Sequence, residues 1–374
     1  MEKITILFDC HTFDMEPQGT STFLAGLLNA LPGVMADFEN EKVFEIICAA
    51  ENRQFVEKYV TIKYVFRKIK TGFLLRNLFY LPKLASQVNA DYVVSQYVRP
   101  IWVPRYAISI IHDVLFVDFP DQFSQTYRIS RWFFFALSAR FSAKVFTVSN
   151  YSKDRISRFF KIHKSKIGVL PNAVHIDHAT LTVKKVSRST RPIKLLYVSR
   201  LEKRKRHEWC VRALEDLLAD GVDAELTLVG GGGGRYAEKL RRLFRVKSND
   251  LNGRLVHREG VPAAELEEVF GQADLFLFPS LGEGFGIPII EAAVRGLPCV
   301  VSDGSALFEL KDAFVGESFQ PSDYQAFLKA IKKVLSGIDS YSVRAQENRL
   351  KVAQRYTWEG AAKEFMHGIM ELRS

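Results

Sequence analysis

The chain has 374 residues, 47% of them hydrophobic and 25% charged, with a formal net charge of +10 at pH 7. That length accommodates two domains of ordinary size, and the composition is that of a globular protein rather than a disordered or fibrous one. No apolar run approaches the ~18–20 residues of a membrane-spanning helix. The opening MEKITILFDC reads as a strand, not a signal peptide. Cys10, Cys48, Cys210 and Cys299 are scattered without CxxC spacing, so buried thiols in a reducing cytoplasm are expected rather than disulfides or a metal site.

In chain order, residues 4–8 open a first strand–helix unit, and further strands are predicted at 43–48, 92–95, 108–111, 144–148 and 167–170. Segment 178–192 turns polar and basic and reads as a linker. A second series follows at 194–199, 225–229, 254–257, 275–278 and 299–302. Strands alternating with helical stretches predict an α/β fold with two doubly wound, Rossmann-like domains. Nucleotides in such sheets sit beyond the carboxyl ends of the strands, so the expected site is a cleft between the two domains.

The charge is uneven. Residues 51–187 hold 22 Lys and Arg against 8 Asp and Glu. Within them, 67–83 mixes basic and bulky apolar residues as an interfacial amphipathic helix would, and 127–160 does so again. The other reading makes the aromatics core and the charges a solvated face. For 67–83 both stay open; for 127–160 the core reading is preferred. No RNA- or DNA-binding motif accompanies the charge, so no nucleic-acid partner is expected.

The sharpest signal lies at 273–295. A short buried strand, 273–280, is followed by a glycine-rich turn and then the opening of a helix. Such a turn gathers backbone N–H groups and a positive dipole end at one point, which suits a phosphate or a polar sugar. Glu283 lies in the loop and Glu291 about two turns into the helix, at ~3.6 residues per turn. GEGFGIPIIEA, with Pro279 and Ser280 before it and Gly296 and Pro298 after it, resembles the signature of retaining glycosyltransferases of family 4, or glycosyl transferases group 1. Their fold is GT-B: two Rossmann-like domains facing across a cleft. The resemblance runs from about residue 4 to 366, dense in the second half and sparse over 24–90.

That resemblance implies an acceptor-side domain over 1–180, a nucleotide-sugar donor domain over 190–354, and a final helix over 355–374 crossing back to the first domain. Arg200 and Lys205 would neutralise the donor diphosphate, whose developing charge fixed cations stabilise; Arg204 and Arg206 leave a one-residue offset open. Gly19 would approach the same phosphates, with Ser21 where a second glycine is usual. The glycine run 230–234 reads as a tight turn near them. Val261 would contact the base, and Glu291 would accept from the ribose hydroxyls. Glu283, with the backbone N–H groups of Phe285, Gly286 and Ile287, would hold sugar hydroxyls, and His112 would meet the transferred sugar near the reacting carbon. No carboxylate pair is spaced for double displacement, so a same-face attack is expected, with the leaving phosphate taking the acceptor's proton. The family needs no metal, and no Asp-x-Asp motif is present.

Segments 112–113, 201–205 and 304–309 look most like the mannosyltransferase-like branch, which points to GDP-mannose as donor, with UDP- and dTDP-sugars as alternatives. The implied acceptor is a glycan or polyprenyl-linked saccharide in bacterial surface-polysaccharide (O-antigen or lipopolysaccharide-type) assembly. The implied location is cytoplasmic, peripheral at the inner membrane face. Two other classes compete: a catalytically silent nucleotide-sugar or glycan-binding protein, and a nicotinamide-dependent oxidoreductase suggested only by the glycine run.

Overall fold

The computed structural model describes residues 2–15, 19–38, 42–70, 72–174 and 191–373. Residues 16–18 of the N-terminal glycine loop and nearly all of the linker read at 178–192 lie outside them. The chain divides into two compact units: Met1–His175 with Tyr356–Ser374, and Ile176–Arg355.

The first unit holds a seven-stranded parallel sheet: β1 (Glu2–Asp9), β2 (Lys42–Ala50), β3 (Val65–Lys68), β4 (Tyr92–Gln96), β5 (Tyr106–Ile110), β6 (Lys144–Thr147) and β7 (Ile167–Val169). Their order is β3-β2-β1-β4-β5-β6-β7. Ile4, Ile6, Leu7 and Phe8 of β1 are fully buried, as befits a strand covered on both faces. The sheet is completed by the Trp358–Met370 helix, capped by the Thr357 side chain accepting from Gly360 N–H. Phe365 of this helix packs between Phe8 and Phe146, at ring distances of 6.0 and 5.4 Å. Trp358 seats against Gly26, where a Cβ would lie 2.2 Å from the indole, so only glycine fits.

The second unit holds a six-stranded parallel sheet: β8 (Ile193–Val198), β9 (Ala224–Val229), β10 (Leu255–Arg258), β11 (Leu275–Phe278), β12 (Cys299–Ser302) and β13 (Gly316–Phe319), in the order β10-β9-β8-β11-β12-β13. The chain order reverses between β1 and β4 in one sheet and between β8 and β11 in the other. Ligands of open α/β sheets bind outside such points. Sequence reasoning missed β3 and β13. Both are four-residue strands at sheet edges, too short and too exposed to show a period.

Of the two basic, apolar segments, the sequence leaves 67–83 open, and 127–160 departs from the preferred reading. In 73–87 a wide π turn over Arg76–Tyr80 joins Phe73–Leu75 to Leu81–Gln87. It sits just before Pro82, which has no N–H to give an α-helical turn and would crowd the carbonyl four residues back. The turn swings Arg76 and Asn77 inward while Leu74, Leu75, Leu78 and Phe79 stay exposed. The Gln125–Phe141 helix corrects the core reading of 127–160. Phe135, Ser138 and Ala139 face the core, but Ile129, Trp132, Phe133 and Phe141 are exposed. No helix among the described residues is long and apolar enough to cross a membrane.

Candidate active site

In the second unit β8 and β11 are hydrogen-bonded neighbours, so the segments leaving their carboxyl ends run side by side. The Leu281 N–H donates to the Arg204 carbonyl at 2.8 Å and ties the two together. The turn after β8 is a single 3-10 turn, Lys203–Lys205. The Tyr197 hydroxyl, buried in β8, donates to the Lys205 carbonyl at 2.7 Å and fixes that turn over the strand end. Arg206 then takes a left-handed conformation (φ 54°) that turns the chain into the next helix.

Glu283 is the hub. Its Oε1 accepts from Lys205 Nζ and from Ser280 Oγ (2.6 Å), and its Oε2 accepts from an Arg204 guanidinium N–H at 2.8 Å. The Glu283 N–H donates to Ser305 Oγ at 2.6 Å, and the Ser305 hydroxyl donates back to the Glu283 carbonyl at 2.9 Å. Burial by itself would raise the Glu283 carboxyl, but Arg204 and Lys205 together with the Lys205 and Ser280 hydrogen bonds outweigh it and hold it at about 2. Burial, then the neighbouring Arg204, lowers the Lys205 ammonium, with Glu283 opposing. The result is a water-poor cluster of fixed charges at the reversal point of the sheet.

The glycine turn after Glu283 delivers Gly286, at φ 116°, to the start of the Ile287–Val294 helix. A Cβ there would lie 2.8 Å from Leu307. Phe285 is buried beneath the turn, and the Phe285, Gly286 and Ile287 backbone forms the helix opening. Glu291 lies only about one turn into this helix, at ~3.6 residues per turn, rather than the two read from the sequence, because the helix starts at Ile287. Burial raises its carboxyl, Arg295 opposes that, and Glu267 adds to it. Arg295 bonds to Glu267 and to the Glu291 carbonyl rather than to its carboxylate.

The structure therefore brings Lys205 and Glu283 together, and adds Arg204, Ser280 and Ser305, which sequence reasoning did not assign. It does not bring Arg200 to Glu283: that side chain is over half exposed, 3.6 Å from Glu202. Val261 is half-buried between Gly260 and the Ala263–Gln272 helix. In the glycine run, a Cβ on Gly230 (φ 132°) would lie 2.1 Å from the Ser199 carbonyl oxygen, and one on Gly232 3.0 Å from that of Leu201. The turn thus exists to pass close beneath the exit of β8. Gly233 and Gly234 open the Gly234–Asp250 helix.

In the first unit, His112 follows β5 and is buried, with Nε2 2.7 Å from Gln96 Oε1, while Gln96 donates to Thr12 Oγ1 at 3.0 Å. Phe23 meets the imidazole edge-on at 4.8 Å. Burial pushes its pKa down to about 3, so the ring is neutral. Gly19 opens the Gly19–Met35 helix at an exposed position. A second buried charge cluster went unforeseen: Asp9 Oδ2 at the end of β1 lies 3.1 Å from His11 Nδ1 and 3.3 Å from Arg76 Nε. Burial opposes its ionisation, but His11 and Arg76 prevail and lower the Asp9 carboxyl. In sequence, Arg76 is indistinguishable from its basic neighbours; only the π turn selects it.

Two parallel Rossmann-like units, the second with a buried ionic cluster at its reversal point, define a GT-B fold. The family model described as Glycosyl transferases group 1 matches residues 180–351, and that described as Glycosyltransferase Family 4 matches 42–178. The chain belongs to the family 4 group of GT-B glycosyltransferases. It is 27% identical to an uncharacterized glycosyltransferase of Methanocaldococcus jannaschii, over 61% of this chain and 60% of that protein. It is 30% identical to a serotype-specific mannosyltransferase of Escherichia coli, over 46% of this chain and 20% of that protein. The chain thus spans three fifths or less of these relatives' lengths. An Anabaena protein solved with UDP and glucose shares the fold, with a TM-score of 0.72 and 16% identity over 98% of this chain and 99% of that one.

Proposed function

We propose that this chain is a retaining, metal-independent glycosyltransferase that moves mannose from GDP-mannose to a glycan or polyprenyl-linked saccharide in bacterial surface-polysaccharide assembly. The observation that carries this reading is the Arg204–Lys205–Glu283–Ser280 cluster at the β8/β11 reversal point. A leaving nucleoside diphosphate develops charge where these cations are already fixed in a water-poor setting, and preorganised charge is the strongest catalytic device such a site has. Glu283, ionised throughout the physiological range, holds the cations in place and offers an acceptor to sugar hydroxyls. Glu291, with its raised carboxyl, accepts from the ribose, and the Phe285–Ile287 turn supplies N–H donors; Arg200 and Gly19 complete the phosphate contacts, and Val261 meets the base.

In the step itself, the C1–oxygen bond to the diphosphate breaks with its electron pair going to phosphate. The acceptor oxygen bonds C1 on the same face, and the leaving phosphate oxygen takes the acceptor's proton. His112, kept neutral by burial, contributes hydrogen bonding near the reacting carbon rather than charge. Mannose as the sugar rests on the mannosyltransferase-like segments and on the E. coli mannosyltransferase relative. The protein works in the cytoplasm, at the inner membrane face.

Thermal shift with GDP, UDP, dTDP, ADP and NAD in the presence of EDTA tests the donor. A ligand at a hundredfold over its dissociation constant stabilises by ~2.7 kcal/mol, which reads as several degrees. Selective stabilisation by GDP supports the proposal. A shift with UDP or dTDP alone replaces the donor, and a shift with NAD alone overturns the transferase reading.

A further inference from the structure

The Gln125–Phe141 helix has two apolar faces where an ordinary surface helix has one. Phe135, Ser138 and Ala139 enter the core of the first unit. Ile129, Trp132, Phe133, Leu137 and Phe141 recur at helical spacing on the other side, all exposed, Phe141 by 62%.

This stripe is continuous with two others. Phe134 meets Phe73 edge-on at 4.9 Å, which joins it to the exposed Leu74, Leu75, Leu78 and Phe79. Arg99 N–H donates to Ser138 Oγ at 3.0 Å, and Ile101 N–H donates to the Asn77 carbonyl at 3.0 Å. The loop carrying the exposed Ile101 and Trp102 therefore bridges both helices. A connected apolar surface of this kind marks an interaction site.

Its charge selects the partner. Segments 67–83, 97–105 and 125–144 contain eleven Lys or Arg and no Asp or Glu. Arg76 is buried beside Asp9, and Arg105 and Lys144 pair with Asp91 and Glu371, but the remaining eight still leave the face basic. A face built against another copy of this chain would set these cations against themselves. An anionic lipid surface instead takes aromatic side chains into its interfacial zone and cations against its phosphates.

We propose that the first unit docks on an anionic bilayer through this surface, with Trp132, Phe133, Phe79 and Trp102 as the inserted side chains and Lys68, Lys70, Arg128 and Arg140 around them. The purpose, reaching a lipid-linked acceptor, rests on the transferase reading; the binding itself does not. The Gln125–Phe141 helix is as much a part of this surface as 67–83.

The test is co-sedimentation of the full chain with vesicles of phosphatidylcholine alone or mixed with phosphatidylglycerol, without any sugar donor. The wild-type protein is expected to bind the mixed vesicles at low salt, and binding should weaken as salt screens the charge. Trp132→Ser with Phe133→Ser should lower the partition at least tenfold. Lys68→Gln with Lys70→Gln should lower it about fivefold per cation. If the aromatic pair unfolds the protein, judged by its melting curve, Ile129→Ser with Phe141→Ser takes its place. Absence of wild-type binding at low salt, or undiminished binding by folded variants, overturns the proposal. So does vesicle-free self-association that the same changes abolish, which would make this a contact between copies. Transfer to a soluble, lipid-free acceptor stays unchanged in these variants, so failure here leaves the transferase reading standing.

Discussion

Asp9 and Glu283 are both buried carboxylates beside the reversal point of a parallel sheet, and both are held ionised by buried cations, but they are held differently. Both Glu283 oxygens are satisfied by Ser280, Arg204 and Lys205. Around Asp9 the contacts are longer: Oδ2 lies 3.1 Å from His11 Nδ1 and 3.3 Å from Arg76 Nε, and Oδ1 accepts from the His11 N–H at 3.3 Å. A buried ion cluster repays its desolvation only when geometry and hydrogen bonding are both good. The second unit's cluster is therefore the more fully satisfied of the two, and the first unit's is held by longer contacts.

The largest expected effect separates the two directly. Glu283→Gln leaves Lys205 buried without its anion, while Arg204 keeps Glu202 at 2.9 Å, and should destabilise the second unit by about 3–5 kcal/mol, measured by segment-resolved hydrogen exchange. Lys205→Ala should lower turnover of the donor about 10²–10³-fold, the cost of removing one fixed donor to a developing charge; a variant at full activity would detach the cluster from the chemistry. Asp9→Asn, which disturbs the longer contacts, should cost the first unit about 1–3 kcal/mol, and a loss matching that of Glu283→Gln would erase the contrast.

A further effect appears in acid. A carboxyl whose folded pKa is depressed contributes stability that is full above its unfolded value and lost as the pH falls through the folded one. For Glu283 that window runs from the ordinary 4.5 down to about 2. The acid limb of second-unit stability should be shallower in Glu283→Gln than in the wild type across that window.

Much of this was legible in the chain. Strand–loop–helix punctuation around Phe278, Glu283 and Gly286 located the turn, and the cationic run after β8 located its partner. What spacing could not tell is which cation points inward. The 3-10 turn spans Lys203–Lys205 and Arg206 leaves it at φ 54°, so Arg204 and Lys205 both reach Glu283 while Arg206 is turned away, an outcome set by the anchored Lys205 carbonyl and not by spacing. Ser305 was invisible for a similar reason: its hydroxyl meets Glu283 only because its backbone adopts φ 56°. The Gln125–Phe141 helix was misjudged because apolar residues surround it, and periodicity cannot say which of two apolar faces a fold will use.

The Trp358–Met370 helix gives the chain an assembly order. The first unit is encoded at both ends, with the 180 residues of the second between its parts. At ~5–20 residues per second a ribosome delivers those intervening residues in roughly ten to forty seconds. Throughout that time Gly26 lacks Trp358, and Phe8 and Phe146 lack Phe365. The unit that emerges first is thus the last to be finished, and any message broken before Trp358 yields a protein whose first half stays unsealed and open to proteases.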